Sequence, residues 1–417
     1  MSTKPRVAVV GTFDTKGHEL SFLSEVIRAY GVDVVTVDCG VVGQPSAEVD
    51  ISAEEVAGAG GVSLAELRSS ASRADAIAVM GKGAEAVLSQ LARENTVHGM
   101  IGAGGSNGAA LSAAASRAIP FGFPKVIVTT MASASAEALI KGTDVTLIYP
   151  LVDIEGLNVL SRTMLRQAGA AVAAMAQAAT QAEASEKRPV VAATMSGVVT
   201  TCVNAVRTAM EANGHEVLVF HANGAGGRSY EQFIRSGRVD ACMDLSLTEL
   251  ADQFGGGLFD AGDERLEAAA ARAVPQVVCP GGADMIKFGG PSTVPDQFRD
   301  RVIVPYNENV TLMRANAEDS SRIGAAIGRK LRDSSRASVV FPHGGLSQLD
   351  TPGSDWYDAD ANEALFAAIA SEIGADRIIE SQHHVNDAEF AELLVRALTD
   401  LLESEDGQRA RATAAGS

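Results

Sequence analysis

Three stretches near the amino end carry the residue types that hold phosphate: GTFDTKG at Gly11 to Gly17, GKG at Gly81 to Gly83, and IGAGGSNG at Ile101 to Gly108. Each follows an apolar run and precedes a helical pattern. Glycine lets backbone approach a ligand closely, and the first NH groups of a helix lack intrahelical partners and attract an anion. In the third stretch Gly102, Gly104 and Gly105 would bring the chain close, while Ser106 and Asn107 add polar side chains. The first stretch supplies Gly11, Thr12, Asp14, Thr15 and Lys16, and the second sets Lys82 between Gly81 and Gly83. The two lysines would neutralise phosphate charge, and Asp14 would hold Mg²⁺ directly or through water. The spacing is neither Walker A nor GxGxxG. Capping is the competing use of Asp14 and Thr15, worth about 1 kcal/mol.

Asp38 ends a second apolar run about twenty residues after the first loop, where nucleotide-binding domains present a carboxylate to ribose hydroxyls. Thr129, Thr130 and Met131 end another and would face the same cleft. In the second half the reactive types are His343 in PHGG, with Asp350, Asp355 and Asp358 after it, and His383 and His384 beside Asn386 and Asp387. Imidazole titrates near neutrality and coordinates metals in its neutral form. HxxxH spacing is absent, so no metal-ligand set is assigned. Asp284 and Lys287 in CPGGADMIKFGG, and Glu308 and Arg314 in NENVTLMR, place a lysine and an arginine among glycine loops, which suits a small carboxylate or phosphate. The candidate catalytic set is therefore His343, His383, Asp284, Lys287 and Arg314. Trp356 and Tyr357 read as a packed loop anchor.

These residues need a scaffold that gathers strand ends. Arg6–Val10, Val32–Val37, Ala76–Met80, Val97–Ile101, Val126–Val128 and Val145–Ile148 are short apolar runs, and helical patterns alternate with them. Continuous apolar strands between helices predict a mainly parallel sheet covered on both faces, whose ligands collect at the strands' carboxyl ends. Gly156 to Lys187 predicts a long helix closing the first domain, with the boundary in the charged stretch before Val190. Val190–Ala193, Val217–Phe220, Val239–Met243, Gln276–Cys279, Arg301–Val304, Ser338–Phe341 and Arg377–Ile379 then repeat the pattern. The loop Asn223 to Glu231, NGAGGRSYE, loosely echoes the first-half glycine cluster, as an ancient duplication would permit. The expected architecture is α/β, two doubly wound, Rossmann-like domains at 1–185 and 186–403, with a flexible polar tail at 404–417.

Composition narrows the partners. An apolar fraction of 46% gives both domains a full core, and 34 basic against 52 acidic residues, net −18, withholds the broad positive field that nucleic acid or an anionic membrane selects. Cys39, Cys202, Cys242 and Cys279 lie far apart without a CxxC pair, which points away from disulfides and zinc and toward a reducing cytoplasm. No apolar leader or membrane-length run is apparent.

Several motifs together are more specific than any one. GTFDTKGHEL, MGKG and IGAGGSNGAAL, followed by MSGVVTTCVNAVR, CPGGADMIKFGG, TLMRAN, FPHGGLSQLD and QHHVND, resemble in order the ATP-binding domain of the tomato mosaic virus resistance protein and its bacterial and fungal relatives. The resemblance covers essentially the whole chain. It implies a two-domain, dimeric α/β protein with ATP and its Mg²⁺ held by the three loops of the first domain. The plant protein's further barrel-like domain has no counterpart in this sequence, so an antiviral role is not transferred. Three readings follow: an ATP-dependent reaction on a small acidic metabolite, a nucleotide-responsive interaction protein without turnover, or a metal-assisted hydrolase or lyase centred on the second-half histidines.

Overall fold

The alternation of apolar residues along Arg6–Gly11 (β1) sets up the first unit. Val7 and Val9 enter one core layer, packed under helices Phe13–Ala29 and Val159–Gln181, while Ala8 and Val10 enter the opposite layer, under Arg73–Arg93 and Ser106–Ser116. A strand buried on both faces in this way belongs inside a parallel sheet. Each fully buried valine contributes about 1.5–3 kcal/mol of transfer free energy. The computed structural model describes residues 4–70, 72–140, 142–181 and 188–404. It shows an α/β protein of two units that divide at Ser185 and Glu186.

In the first unit, β1 pairs in parallel with Asp33–Asp38 (β2) and with Met100–Ala103 (β3), and Lys125–Val128 (β4) and Thr146–Ile148 (β5) extend the sheet. The spatial order is β2-β1-β3-β4-β5, so the winding reverses between β1 and β3. That crossover leaves a crevice at the carboxyl ends of the two strands.

The second unit uses the same order with one strand more. Val190–Met195 (β6), Glu216–His221 (β7), Ala241–Asp244 (β8), Gln276–Val278 (β9), Ala337–Pro342 (β13) and Ile378–Ser381 (β14) form a parallel sheet ordered β7-β6-β8-β9-β13-β14. Between β9 and β13 the chain adds an antiparallel sheet, Met285–Phe288 (β10), Ile303–Asn307 (β11) and Val310–Arg314 (β12), with β12 central. Ile286, Phe288 and Met313 on one face of it enter a core layer; Met285 and Leu312 on the other enter a second.

Several elements differ from what the sequence predicts. Ala76–Met80 lies inside helix Arg73–Arg93, because its five apolar residues suit either period and the Ser72 cap, accepting from Asp75 N, starts a helix upstream. Strands β10 and β12 were not expected, and β11 is antiparallel. The first-domain closing helix runs Val159–Gln181, while the charged stretch 182–187 and the tail from 405 lie outside the described residues. The NGAGG echo follows the second strand of its unit whereas IGAGGSNG follows the third, so the loops are not topological equivalents even though the strand orders correspond.

Candidate functional site

At the β1/β3 crossover the first unit has a cleft of about 290 Å³, near the lower end of ordinary small-molecule sites. Thr12, Asp14, Thr15 and Lys16 line one side, Gly104 to Gly108 another, Arg73 and Asp153 add charge, and apolar residues that include Ile77, Met80 and Leu111 complete the lining. The Gly11–Gly17 stretch is not an open loop: the helix begins at Phe13, Lys16 N donates to Thr12 O at 2.8 Å, and a break in the helical backbone falls at Lys16 (φ −125°, ψ 19°). That break lies beside the cleft. Gly105 precedes helix Ser106–Ser116 without a side-chain cap, so the unpaired NH groups of its first turn border the cavity.

Charge in the cleft is arranged in pairs. The Lys16 ammonium is bound by the Glu155 carboxylate, whose side chain is 78% exposed. Lys16 holds the Glu155 carboxyl below its usual range, chiefly through that hydrogen bond. With the Asn107 amide oxygen turned to the Arg73 guanidinium, it accepts from Nε at 2.9 Å and Nη2 at 2.7 Å. Asp14 Oδ2 accepts from Val42 N at 2.8 Å and Gly43 N at 3.1 Å, whereas Oδ1 has no partner. Thr12 and Thr15 hydroxyls bond each other at 2.8 Å.

Arg73, Asp153 and Glu155 are residues that spacing did not reveal, and other expected residues serve the scaffold. Lys82 is exposed in the middle of a helix and does not line the cleft. Gly81 and Gly83 let helices approach: a Cβ on Gly83 would lie 1.9 Å from Val56 O, and one on Gly81 3.1 Å from Ala114 Cβ. Gly102 sits within β3 against Ser112, and Gly11 ends β1 against Leu20. Asp38 is 2% exposed and its Oδ1 accepts from Phe13 N at 3.0 Å and Gly40 N at 2.8 Å, which ties the strand ends together. Burial pushes its carboxyl up. Thr129 is buried and caps the turn Thr130–Ser133 by accepting from Met131 N; none of Thr129, Thr130 and Met131 lines the cleft.

The five expected catalytic residues do not share one site. Asp284 is fully buried, and its Oδ2 accepts from Ser347 Oγ and Trp356 Nε1, both at 2.7 Å. Arg314, 4% exposed, donates to Trp356 O, Asp284 O, Asn362 Oδ1 and Asp350 Oδ1. These two hold the loop after β13 onto the small sheet, and Trp356 is the anchor expected of it. His343 lies between Phe341 and Phe366 with Nε2 2.9 Å from Glu380, while His383 is half exposed, 3.9 Å from Asp387. Among the described residues no three His, Cys, Asp or Glu side chains are grouped to hold a metal ion. Lys287 lines a cavity at the β6/β8 crossover. The four cysteines are free and buried, and no described helix is long and apolar enough to cross a membrane.

Comparison with known proteins agrees with the two-unit division. Residues 5–181 match the N-terminal domain model, and 188–402 the C-terminal domain model, of the uncharacterised protein family UPF0261. A UPF0261 protein of Clostridium tetani is 39% identical over 401 residues, covering 95% of this chain and 99% of that one. The ToMV resistance protein Tm-1(GCR237) of Solanum lycopersicum is 36% identical over 96% of this chain, which spans only 56% of the tomato protein. The ToMV susceptible protein tm-1(GCR26) matches at 34%, so similarity at this level does not follow resistance. Among solved structures, UDP-N-acetylglucosamine 2-epimerase from Rickettsia bellii aligns over 96% of this chain and 97% of its own at 8% identity and a TM-score of 0.24, too low to bear on function. With both domain models matched in chain order and a relative 39% identical along nearly its whole length, the chain belongs to the UPF0261 family.

Proposed function

We propose that the first unit is a Mg-ATP-binding domain. The observation that carries this reading is the convergence, at the β1/β3 crossover, of an uncapped helix N-terminus at Gly104–Asn107 with two cations, Lys16 and Arg73. Phosphate oxygens would lie against the NH groups of the first helical turn. Lys16 would leave Glu155 for the phosphate, since a more highly charged anion competes well with a solvent-exposed carboxylate. The unpartnered Asp14 Oδ1 and the Asp153 carboxylate are the groups available to Mg²⁺ or its water shell. Met80, Ile77 and Leu111 supply apolar surface for a base.

Calorimetric titration with Mg-ATP tests the reading. Lys16→Ala and Arg73→Ala should each weaken binding by about 1–3 kcal/mol, the scale of a lost charge-assisted hydrogen bond. Glu155→Gln should tighten it by up to about fivefold by releasing Lys16 from a surface pair. No heat on titration, or equal affinity in all three variants, overturns the assignment. Phosphate release in the presence of small organic acids would mark an ATP-dependent reaction on such a metabolite; tight binding without release would mark a nucleotide-responsive protein.

A further inference from the structure

The second unit has its own crevice at the equivalent crossover, between β6 and β8, with a volume of about 220 Å³. Its floor is the end of β6 and the turn beyond it, Ser196 to Val198, together with Thr248. Its wall is the antiparallel sheet that the first unit lacks. On β10 and β12 that wall is apolar, made of Met285, Val310 and Leu312, except for Lys287, which stands opposite Leu312 in the register, on the same face; Asn307 of β11, His221 at the end of β7 and Asn223 just beyond it add polar groups to the lining. Phe259 and Tyr306 flank the opening.

A lysine on such a face is costly unless its charge is used. Lys287 Nζ donates to two neutral oxygens, Ala222 O at 3.1 Å and Thr248 Oγ1 at 3.0 Å. Its counter-charge, Asp252 Oδ2, stands 3.4 Å away, longer than a charge-assisted hydrogen bond, and that oxygen has no hydrogen-bond partner. The ammonium also lies 5.5 Å from the Phe259 ring centroid, so among the described residues the carboxylate paired with it is Asp252, at 3.4 Å. The opening is also fitted for close approach, since a Cβ on Gly197 would lie 2.9 Å from the Tyr306 hydroxyl.

We propose that this crevice binds a small organic carboxylate, its anionic head on Lys287 and Thr248 and its apolar body against Met285, Leu312 and Phe259. A nucleotide is disfavoured here because the neighbouring glycine turn is already filled from inside: Glu249 Oε1 accepts from Gly224 N at 2.6 Å and Gly227 N at 3.0 Å. The crevice shares no lining residue with the nucleotide cleft, and the proposal stands whether or not that cleft binds ATP.

The test is saturation-transfer NMR and competition titration on the full chain with benzoate as probe, and benzamide and inorganic phosphate as controls. Benzoate should bind at least about tenfold more tightly than benzamide or phosphate. Lys287→Met should weaken it by about tenfold or more, Lys287→Arg by much less, and Mg-ATP affinity should be the same in all. Gly197→Ala, which presses on Tyr306 without touching the charge, provides a second variant and should weaken benzoate while leaving thermal stability near that of the parent. Equal benzoate affinity in the parent and Lys287→Met, indifference to Gly197→Ala in a folded protein, or no benzoate binding to the parent would each overturn the proposal.

Discussion

Two glycine-rich turns, one in each unit, lead into helices of 11 residues, Ser106–Ser116 and Ala225–Arg235, and on composition alone they look interchangeable. Their surroundings are opposite. The turn at Gly104 borders an open cleft with Lys16 and Arg73 beside it, whereas the turn at Gly224 is plugged by the Glu249 carboxylate, so closely that a Cβ on Gly227 would be 2.1 Å from Oε2. Glu249 is itself fully buried, and its second oxygen accepts from Arg265 Nε at 2.7 Å. The same backbone chemistry thus offers an anion site in one unit and consumes it structurally in the other. What decides is whether a carboxylate from elsewhere in the fold reaches the amides first.

The plug belongs to a larger cluster that gives the largest expected effect. Arg265, fully buried, also grips Asp244 through Nη1 at 2.5 Å and Nη2 at 2.6 Å, and Glu231 at 3.3 Å. The carboxylates hold its guanidinium charged against burial, with Asp244 contributing most. Arg265→Met would leave three buried carboxylates without their cation, and should cost about 3–5 kcal/mol in urea denaturation followed by circular dichroism. A loss under about 1 kcal/mol would mean that the cluster does not support the unit, and that Glu249 is free to leave the glycine turn.

A second way to separate the units is by pH. Burial is the main force on Asp252 and pushes its carboxyl up to about 7; Lys287 opposes the shift and Glu249 adds to it. The unfolded chain releases this proton near 3.8. Between those values the folded state binds more protons than the unfolded one, so stability falls as pH rises from about 4 to about 7 and levels off above. Asn cannot titrate, so the stability of Asp252→Asn relative to the parent should climb through that window by an amount of the order of 4 kcal/mol. A flat difference across the window would show that the Lys287 charge is matched by Asp252 after all, which would weaken the case for an anion in the second crevice.

How much of this was legible in the sequence varies with the length and period of each segment. The parallel strands were readable because strands buried on both faces give uninterrupted apolar runs, as in Arg6–Gly11 and Val190–Met195. IGAGGSNG was readable as strand, turn and helix because the glycines punctuate it. The small antiparallel sheet was not: MIKF and VTLMR each place charge beside apolar residues, so β10 and β12 carry neither a clean alternation nor a continuous run. Arg73 could not be found from spacing, since it opens a helix more than thirty residues before the glycines it faces, and only packing of Arg73–Arg93 on Ser106–Ser116 brings them together. The burial of Asp284 and Arg314 was hidden for a related reason. A buried polar network and a catalytic one use the same residue types, and only the partners at Ser347, Trp356, Asp350 and Asn362 distinguish them.

The smallest expected effect sharpens the comparison from the side of a motif whose residue types resemble a phosphate site while its lysine lies outside the cleft. MGKG was paired with GTFDTKG as a second lysine loop, yet its lysine is on an exposed helix face while its glycines are packing contacts. Gly83→Ala would push a methyl toward the Val56 carbonyl, and should destabilise by about 1–3 kcal/mol, because the obstacle is backbone and cannot rotate away. Lys82→Ala should change stability by no more than about 0.5 kcal/mol and leave Mg-ATP affinity at the parent's value, in contrast to Lys16→Ala. Thermal denaturation and calorimetry on the two variants settle which residues of the motif matter. A loss of ATP affinity in Lys82→Ala would require helix Arg73–Arg93 to unwind or turn when nucleotide arrives, since in the present arrangement Lys82 is on the exposed face of that helix, between the side where Gly81 meets Ala114 and the side where Gly83 meets Val56.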